Sequence, residues 1–165
     1  MRVVSFGTEG RFEQHLDVLR RSLDKHGLPH QLEVIGKRKK LMAALEKPRF
    51  ILDRLDDTLL WLDADSFVTG PITLPEGDWD AGFLKHWRTG STFACCALAF
   101  RPTDKAREFL ERWDETCQPA KNFSGTEHDR MVIVMEDFSL SQVELTDCLH
   151  GNLIVNYRIR KERVI

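Results

Sequence analysis

The segment Thr58 to Ile72, TLLWLDADSFVTGPI, constrains this chain more than any other. It begins with four large apolar residues, Leu59, Leu60, Trp61 and Leu62, and ends abruptly at two aspartates, Asp63 and Asp65. A run of this kind, without polar alternation, is the pattern of a strand buried on both faces of a sheet. The carboxylates then fall where the strand leaves the sheet, the usual position of ligands in open α/β folds. Two carboxylates one residue apart repel each other unless a cation lies between them. Hard divalent ions such as Mg²⁺ or Mn²⁺ favour oxygen ligands of this type and commonly share them with substrate phosphates. The segment therefore reads as a metal site that receives a phosphorylated ligand; the plainer alternative is an acidic surface turn.

The rest of the chain supplies the elements such a strand needs. Met1 to Phe6 is a candidate first strand, because MRVVSF turns polar too soon for a signal peptide. Phe12, Leu16, Leu19 and Leu23 mark one face of a helix that Gly27 and Pro29 would end. Gln31 to Ile35 reads as a second strand, which gives the β-α-β opening of a parallel sheet. Leu41 to Leu55 suggests helical segments broken near Pro48. Further strands are expected at Asp80 to Leu84 and Phe93 to Phe100. A helix starting at Pro102-Thr103 carries Ala106, Phe109, Leu110 and Trp113, with Trp113 a core residue. Ser124-x-x-Glu127 has the form of a capping box, and so has Thr126-x-x-Asp129. The helix beyond carries Met131, Val132 and Met135, and the tail adds strand-like pieces at Gln142 to Leu145 and Leu153 to Tyr157.

Length and charge narrow the function classes. The 165 residues suit a single domain, 1–165, with a substantial core. A formal net charge of −2 gives no case for nucleic acid. No apolar run approaches the roughly 20 residues of a membrane span. The four cysteines lack metal-ligand spacing, and adjacent Cys95 and Cys96 would point to opposite faces of a strand. They read as reduced thiols in a cytoplasmic protein. The basic cluster Gly36 to Lys40 (GKRKK) is either a solvated helix start or an attraction for diphosphate.

The order of these pieces, with LLWLDADSFVTGPI at the centre, resembles the nucleotide-diphospho-sugar transferases of the GT-A fold. KPRFILDRL looks like that family's lysine-proline segment, FACCALAFRPTDKAREFLERW like its later strand and helix, and GTEHDRMVIV like its acidic helix start. The resemblance spans Val3 to about Asn156, and only the Asp-x-Asp in its context is specific. It implies a single-domain α/β sandwich with a mostly parallel central sheet flanked by helices. The implied activity is metal-dependent transfer of a sugar from a nucleotide-sugar donor, its base left open, to the hydroxyl of a glycan, protein or small molecule.

Residue by residue, the resemblance implies that Asp63 and Asp65 hold Mn²⁺ or Mg²⁺, with Asp65 touching the ion directly and Asp63 also reaching the ribose. His150 is the implied third ligand, with His86 and His128 as rivals. Phe6, Gly7 and Thr8 would receive the base, where Gly7 permits close backbone approach. Phe12 would either stack on the base or belong to the helix core. Lys47 and Arg49 would contact base or phosphate, or stand as exposed charges. Asp129 would act on the acceptor side or hold the donor sugar, with Glu127 a weaker candidate. Two departures stand out: Ala94-Cys95-Cys96 replaces a common Asn-Ser-Gly, and Asp129-Arg130 replaces Asp-Gln. The chain is also short for the family, so the acceptor side is expected to be reduced or supplied by another molecule. Two other readings are compatible with the motif. One is a haloacid-dehalogenase-like phosphatase, whose motif normally follows the first strand rather than the third. The other is a non-catalytic module that binds sugar nucleotides.

Overall fold

The computed structural model describes residues 1–37, 40–85, 93–118 and 125–155. Chain order is β1 (Arg2–Thr8), α1 (Arg11–Lys25), β2 (His30–Ile35), α2 (Lys40–Ala44), α3 (Lys47–Leu52) and β3 (Leu59–Leu62). There follow β4 (Phe67–Val68), β5 (Ala81–Lys85), β6 (Phe93–Phe100), α4 (Asp104–Cys117) and α5 (Glu127–Asp137). The chain continues through β7 (Gln142–Glu144), α6 (Thr146–Leu149) and β8 (Leu153–Ile154). Ser124 and Tyr157, which figured in the expected capping box and last strand, lie outside the described residues, as does His86.

A six-stranded sheet runs in the order β2-β1-β3-β6-β5-β7, and β4 pairs with β8 in a separate two-stranded sheet. The pairs β1/β2, β1/β3 and β5/β7 are parallel, whereas β6 is antiparallel to both of its neighbours. The sheet is therefore mixed, with β6 alone running against the other five strands. The reason lies in chain length. Residues 86–92, between β5 and β6, are fewer than the dozen or so that a parallel crossover requires.

The apolar run of β3 occupies the middle of this sheet, and its four residues are 0–2 % exposed. Leu59 and Trp61 face one cluster with Phe50, Ile51, Phe109 and Trp113 from α3 and α4. Leu60 and Leu62 face the other with Leu16, Leu19 and Leu23 from α1. Burial of each such side chain contributes roughly 1.5–3 kcal/mol, so β3 has no stable alternative on an edge. The stripe read from α1 is the buried one, although Phe12 is only partly covered. Gly27, at φ +64°, lets Leu28 N–H reach the Leu23 carbonyl and Gly27 N–H the Asp24 carbonyl, which closes the helix. The helical segments break near Pro48, between Ala44 and Lys47, and Pro48 itself sits in the first turn of α3, where a proline lacks only an N–H that has no partner there. Thr103 caps α4 by accepting from Ala106 N–H. No described helix is long and apolar enough to cross a membrane.

Gly7 joins the sheet to α1. A Cβ there would stand 2.7 Å from the Phe12 carbonyl oxygen and 3.0 Å from Leu16 Cδ1. Substituting Gly7→Ala should destabilise the protein by about 1–3 kcal/mol, the usual range for overpacking. Gly36→Ala, where the added Cβ meets nothing within 4 Å, should change stability by less than about 0.5 kcal/mol. Urea unfolding of the two variants measures the difference.

Candidate functional site

From β1 the chain crosses through α1 to β2 on one side, and β3 later adds on the other side of β1. The carboxyl ends of β1 and β3 thus flank the point where strand order reverses, which in open α/β sheets forms a crevice. That crevice is an open cleft lined by Phe6, Gly7 and Thr8 from β1 and by Asp63, Ala64 and Asp65 after β3. Phe12, Ala43, Ala44, Lys47, Trp61 and Glu127 complete it. Beyond β3 the backbone turns at once, Ser66 N–H donating to the Asp63 carbonyl at 2.9 Å. Ala64 and Ser66 are buried by this turn, while the carboxylates on either side of Ala64 stay partly exposed.

A buried lysine organises the floor. The Lys47 side chain is 3 % exposed, and its Nζ donates to Asp63 Oδ1 at 3.0 Å, the Cys95 carbonyl at 3.0 Å and Glu127 Oε1 at 3.3 Å. Burial opposes the ammonium charge, but the negative neighbours, Asp63 foremost, outweigh it and hold the pKa above the ordinary lysine range. The Trp61 indole N–H donates to the same Asp63 Oδ1 at 2.9 Å, and Lys47 Nζ lies 5.2 Å from the centre of that ring. Asp63 Oδ1 is thereby committed to the interior. Asp65 is half-buried and acts electrostatically on His15 and Cys96.

The Cys95 carbonyl reaches Lys47 because β6 is irregular at this point. Phe83 of β5 pairs with Leu98, yet the next residue, Leu84, pairs with Ala94. The intervening residues have no partner on β5, a bulge of the kind that re-aims backbone groups beside binding sites. Cys95 Sγ points to α5, 3.3 Å from His128 Nδ1 and 3.7 Å from Met131 Sδ. Burial raises the pKa of the Cys95 thiol far above its ordinary value and pushes Cys96 up to about 12, so both are neutral rather than nucleophilic. All four cysteines are unpaired.

Of the residues singled out in the sequence, Phe6, Gly7, Thr8, Lys47, Asp63 and Asp65 come together at this cleft. Two expectations need correction in detail, and Arg49 follows the alternative of an exposed charge. Gly7 is closely approached by the backbone of α1, which accounts for the glycine without a ligand. Lys47 is not an exposed charge, and its ammonium is already engaged by protein groups. Arg49 is 60 % exposed, outside the cleft lining, and pairs with Asp53 at 3.0 Å and Asp114 at 4.0 Å.

Asp129 also lies outside the cleft lining. Its Oδ2 accepts from Thr126 N–H at 2.7 Å and from the Thr126 hydroxyl at 2.9 Å, forming the capping box of α5. The carboxylate that enters the cleft is Glu127. Two capping boxes overlap in this stretch of sequence, and the choice between them decides which acidic residue caps and which turns inward. Pattern alone could not make that choice. His150 is exposed and closes α6 through its N–H to the Thr146 carbonyl at 2.7 Å. Among the described residues, no three His, Cys, Asp or Glu side chains group as a metal site.

Solved structures share this fold. A glycosyltransferase involved in the glycosylation of the major capsid of PBCV-1 superposes with a TM-score of 0.68 at 12 % identity, covering 98 % of this chain and 96 % of that one. The glycosyltransferase GlyE of Streptococcus pneumoniae TIGR4 gives 0.63 at 16 % identity, covering 88 % of this chain and 45 % of GlyE. Its apo form gives 0.61 at 16 % identity, covering 87 % and 44 %. The chain therefore spans less than half of GlyE and nearly the whole of the PBCV-1 capsid glycosyltransferase. No protein-family model and no curated protein matches the sequence. The fold is that of GT-A-like glycosyltransferases.

The capping assignment of Asp129 has a measurable consequence. Its hydrogen bonds to Thr126 hold the carboxyl below the ordinary carboxylate range. A depressed folded-state pKa means that the stabilisation is complete above the unfolded pKa and is lost as pH falls through the folded one. Asp129→Ala should cost about 1 kcal/mol near neutral pH, as lost caps do. The difference from wild type should shrink below about pH 4, the ordinary range of aspartate. Denaturant titrations across pH measure both effects.

Proposed function

We propose that this protein is a glycosyltransferase that moves a sugar from a nucleoside-diphosphate sugar to an acceptor hydroxyl, using Mn²⁺ or Mg²⁺. The observation that carries this reading is the presence of Asp63 and Asp65 in one cleft with the carboxyl end of β1, at the strand-order reversal of a fold shared with glycosyltransferases. The donor set fits the ion. Asp63 Oδ1 is occupied by Lys47 and Trp61, while Oδ2 has no partner among the described residues. Two carboxylates suit a hard divalent ion that completes its shell with phosphate oxygens and water.

In this reading Asp63 and Asp65 hold the ion, and Phe6, Gly7, Thr8 and the exposed part of Phe12 receive the nucleoside. Bound there, the ion supplies Lewis-acid stabilisation of charge on the departing diphosphate. Glu127 takes the part first given to Asp129, because it is the carboxylate that lines the cleft with Asp63. It hydrogen-bonds the donor sugar or, in an inverting reaction, accepts the proton of the acceptor hydroxyl within hydrogen-bond reach. Lys47 keeps both carboxylates in the cleft, and its buried cation adds positive potential beneath the leaving group. The four unpaired cysteines support a reducing, cytoplasmic setting as part of the same proposal.

A thermal-shift panel of nucleoside diphosphates and sugar nucleotides, each with and without Mn²⁺, tests the reading. A ligand at about 100 times its Kd adds about 2.7 kcal/mol to the stability of the folded state. One base should raise the melting temperature in a Mn²⁺-dependent way, and Asp65→Ala should abolish the rise. A folded protein that responds to none of them contradicts the proposal. Mn²⁺-dependent release of sugar from the bound donor separates an enzyme from a binding module.

A further inference from the structure

We infer that Lys47 is a positioning residue that acts through Asp63: it draws Asp63 Oδ1 into the protein and so presents Oδ2 to the cleft. The inference rests on the metal-dependent reading above and gives a role to a residue whose sequence context suggested direct contact with base or phosphate.

Four observations carry it. The Lys47 side chain is 3 % exposed, and its ammonium donates to Asp63, the Cys95 carbonyl and Glu127, which matches the three N–H groups an ammonium has. Those partners belong to three separate elements, so Lys47 joins α3 to the end of β3, the bulge of β6 and the first residue of α5. The Trp61 indole N–H reaches the same carboxylate oxygen, so two donors fix Oδ1 and define the rotation of the group. Finally, Asp63 Oδ2 is the oxygen that no described residue engages.

Without Lys47 the Trp61 indole alone would orient Asp63. The carboxylates of Asp63 and Glu127, which now share one cation, would face each other across a half-buried gap. With only the Trp61 bond left on Oδ1, the carboxylate is free to rotate, which removes Oδ2 from its place. Groups that orient a metal-ligating carboxylate commonly matter about 10–100-fold to metal affinity.

The test uses variants in the Glu127→Gln background, which removes the second carboxylate charge that Lys47→Met would otherwise leave unpaired and so protects folding. The first readout is the indole N–H signal of Trp61 in ¹H–¹⁵N spectra without metal, assigned by its loss in Trp61→Phe. Lys47→Met should displace that signal, because the carboxylate that accepts from it is no longer fixed. An unmoved signal in a folded variant overturns the inference. This measurement needs no ligand, so it stays decisive even if the wild type binds no Mn²⁺, a result that would count against the transferase reading instead.

The second readout is Mn²⁺ affinity by electron paramagnetic resonance. Lys47→Met should weaken binding by about ten-fold or more, and should add little in a protein that already carries Asp63→Asn. Equal losses in both backgrounds would mean that Lys47 acts independently of Asp63, and would overturn the inference.

Discussion

The buried ammonium of Lys47 is the interaction on which the rest of the site depends. Lone cations inside proteins are costly, and this one is retained because Asp63, Glu127 and the Cys95 carbonyl surround it. A buried ion pair adds little net stability compared with apolar packing, yet removing one partner commonly costs about 3–5 kcal/mol. The arrangement therefore serves geometry more than stability. It makes the position of two cleft carboxylates conditional on the correct docking of α3, β3, β6 and α5.

Each of those elements reaches Lys47 for a local reason. Lys47 takes the first helical position of α3, with Pro48 in the same first turn, and its side chain is buried. The apolar run of β3 requires the sheet centre, which delivers Asp63 to the sheet's carboxyl edge. The reversed strand β6 approaches from the opposite direction, and its bulge turns a carbonyl toward the ammonium. Trp113 of α4 donates its indole N–H to the Glu127 carbonyl at 2.9 Å, which ties the start of α5 to the core. Packing and chemistry thus share side chains: Trp61 lies in the aromatic cluster with Phe6 and Phe50 and also holds the Asp63 carboxylate.

This division explains what the sequence made legible. Hydrophobic periodicity identified α1 and α4, and the unbroken apolar runs identified β3 and β6, because burial on one or two faces leaves a direct trace in residue order. The Asp-x-Asp was legible because its position follows from the strand before it. β4 and α6 are too short to show a period, whereas β8 falls in the strand-like piece expected from Leu153; α6 and the smaller sheet are held by Val68, Leu149 and Leu153 within a wider cluster. The mixed sheet direction was hidden for a different reason, since parallel and antiparallel interior strands look alike in composition. Long-range pairing was the least legible feature. Lys47 lies 80 residues from Glu127, and nothing in either segment marks them as partners. The choice of Glu127 over Asp129 depended on a two-residue difference in where α5 begins.

In the proposed reading, Asp63 and Asp65 hold a divalent ion at the carboxyl end of β3. Anomalous diffraction at the manganese edge, from crystals grown with Mn²⁺ and a nucleoside diphosphate, tests it most directly. A peak is expected beside Asp63 Oδ2 and Asp65, with diphosphate oxygens on its open side and Asp63 Oδ1 still bonded to Lys47. A bound nucleotide with no peak at these carboxylates, or a peak elsewhere in the protein, would contradict it.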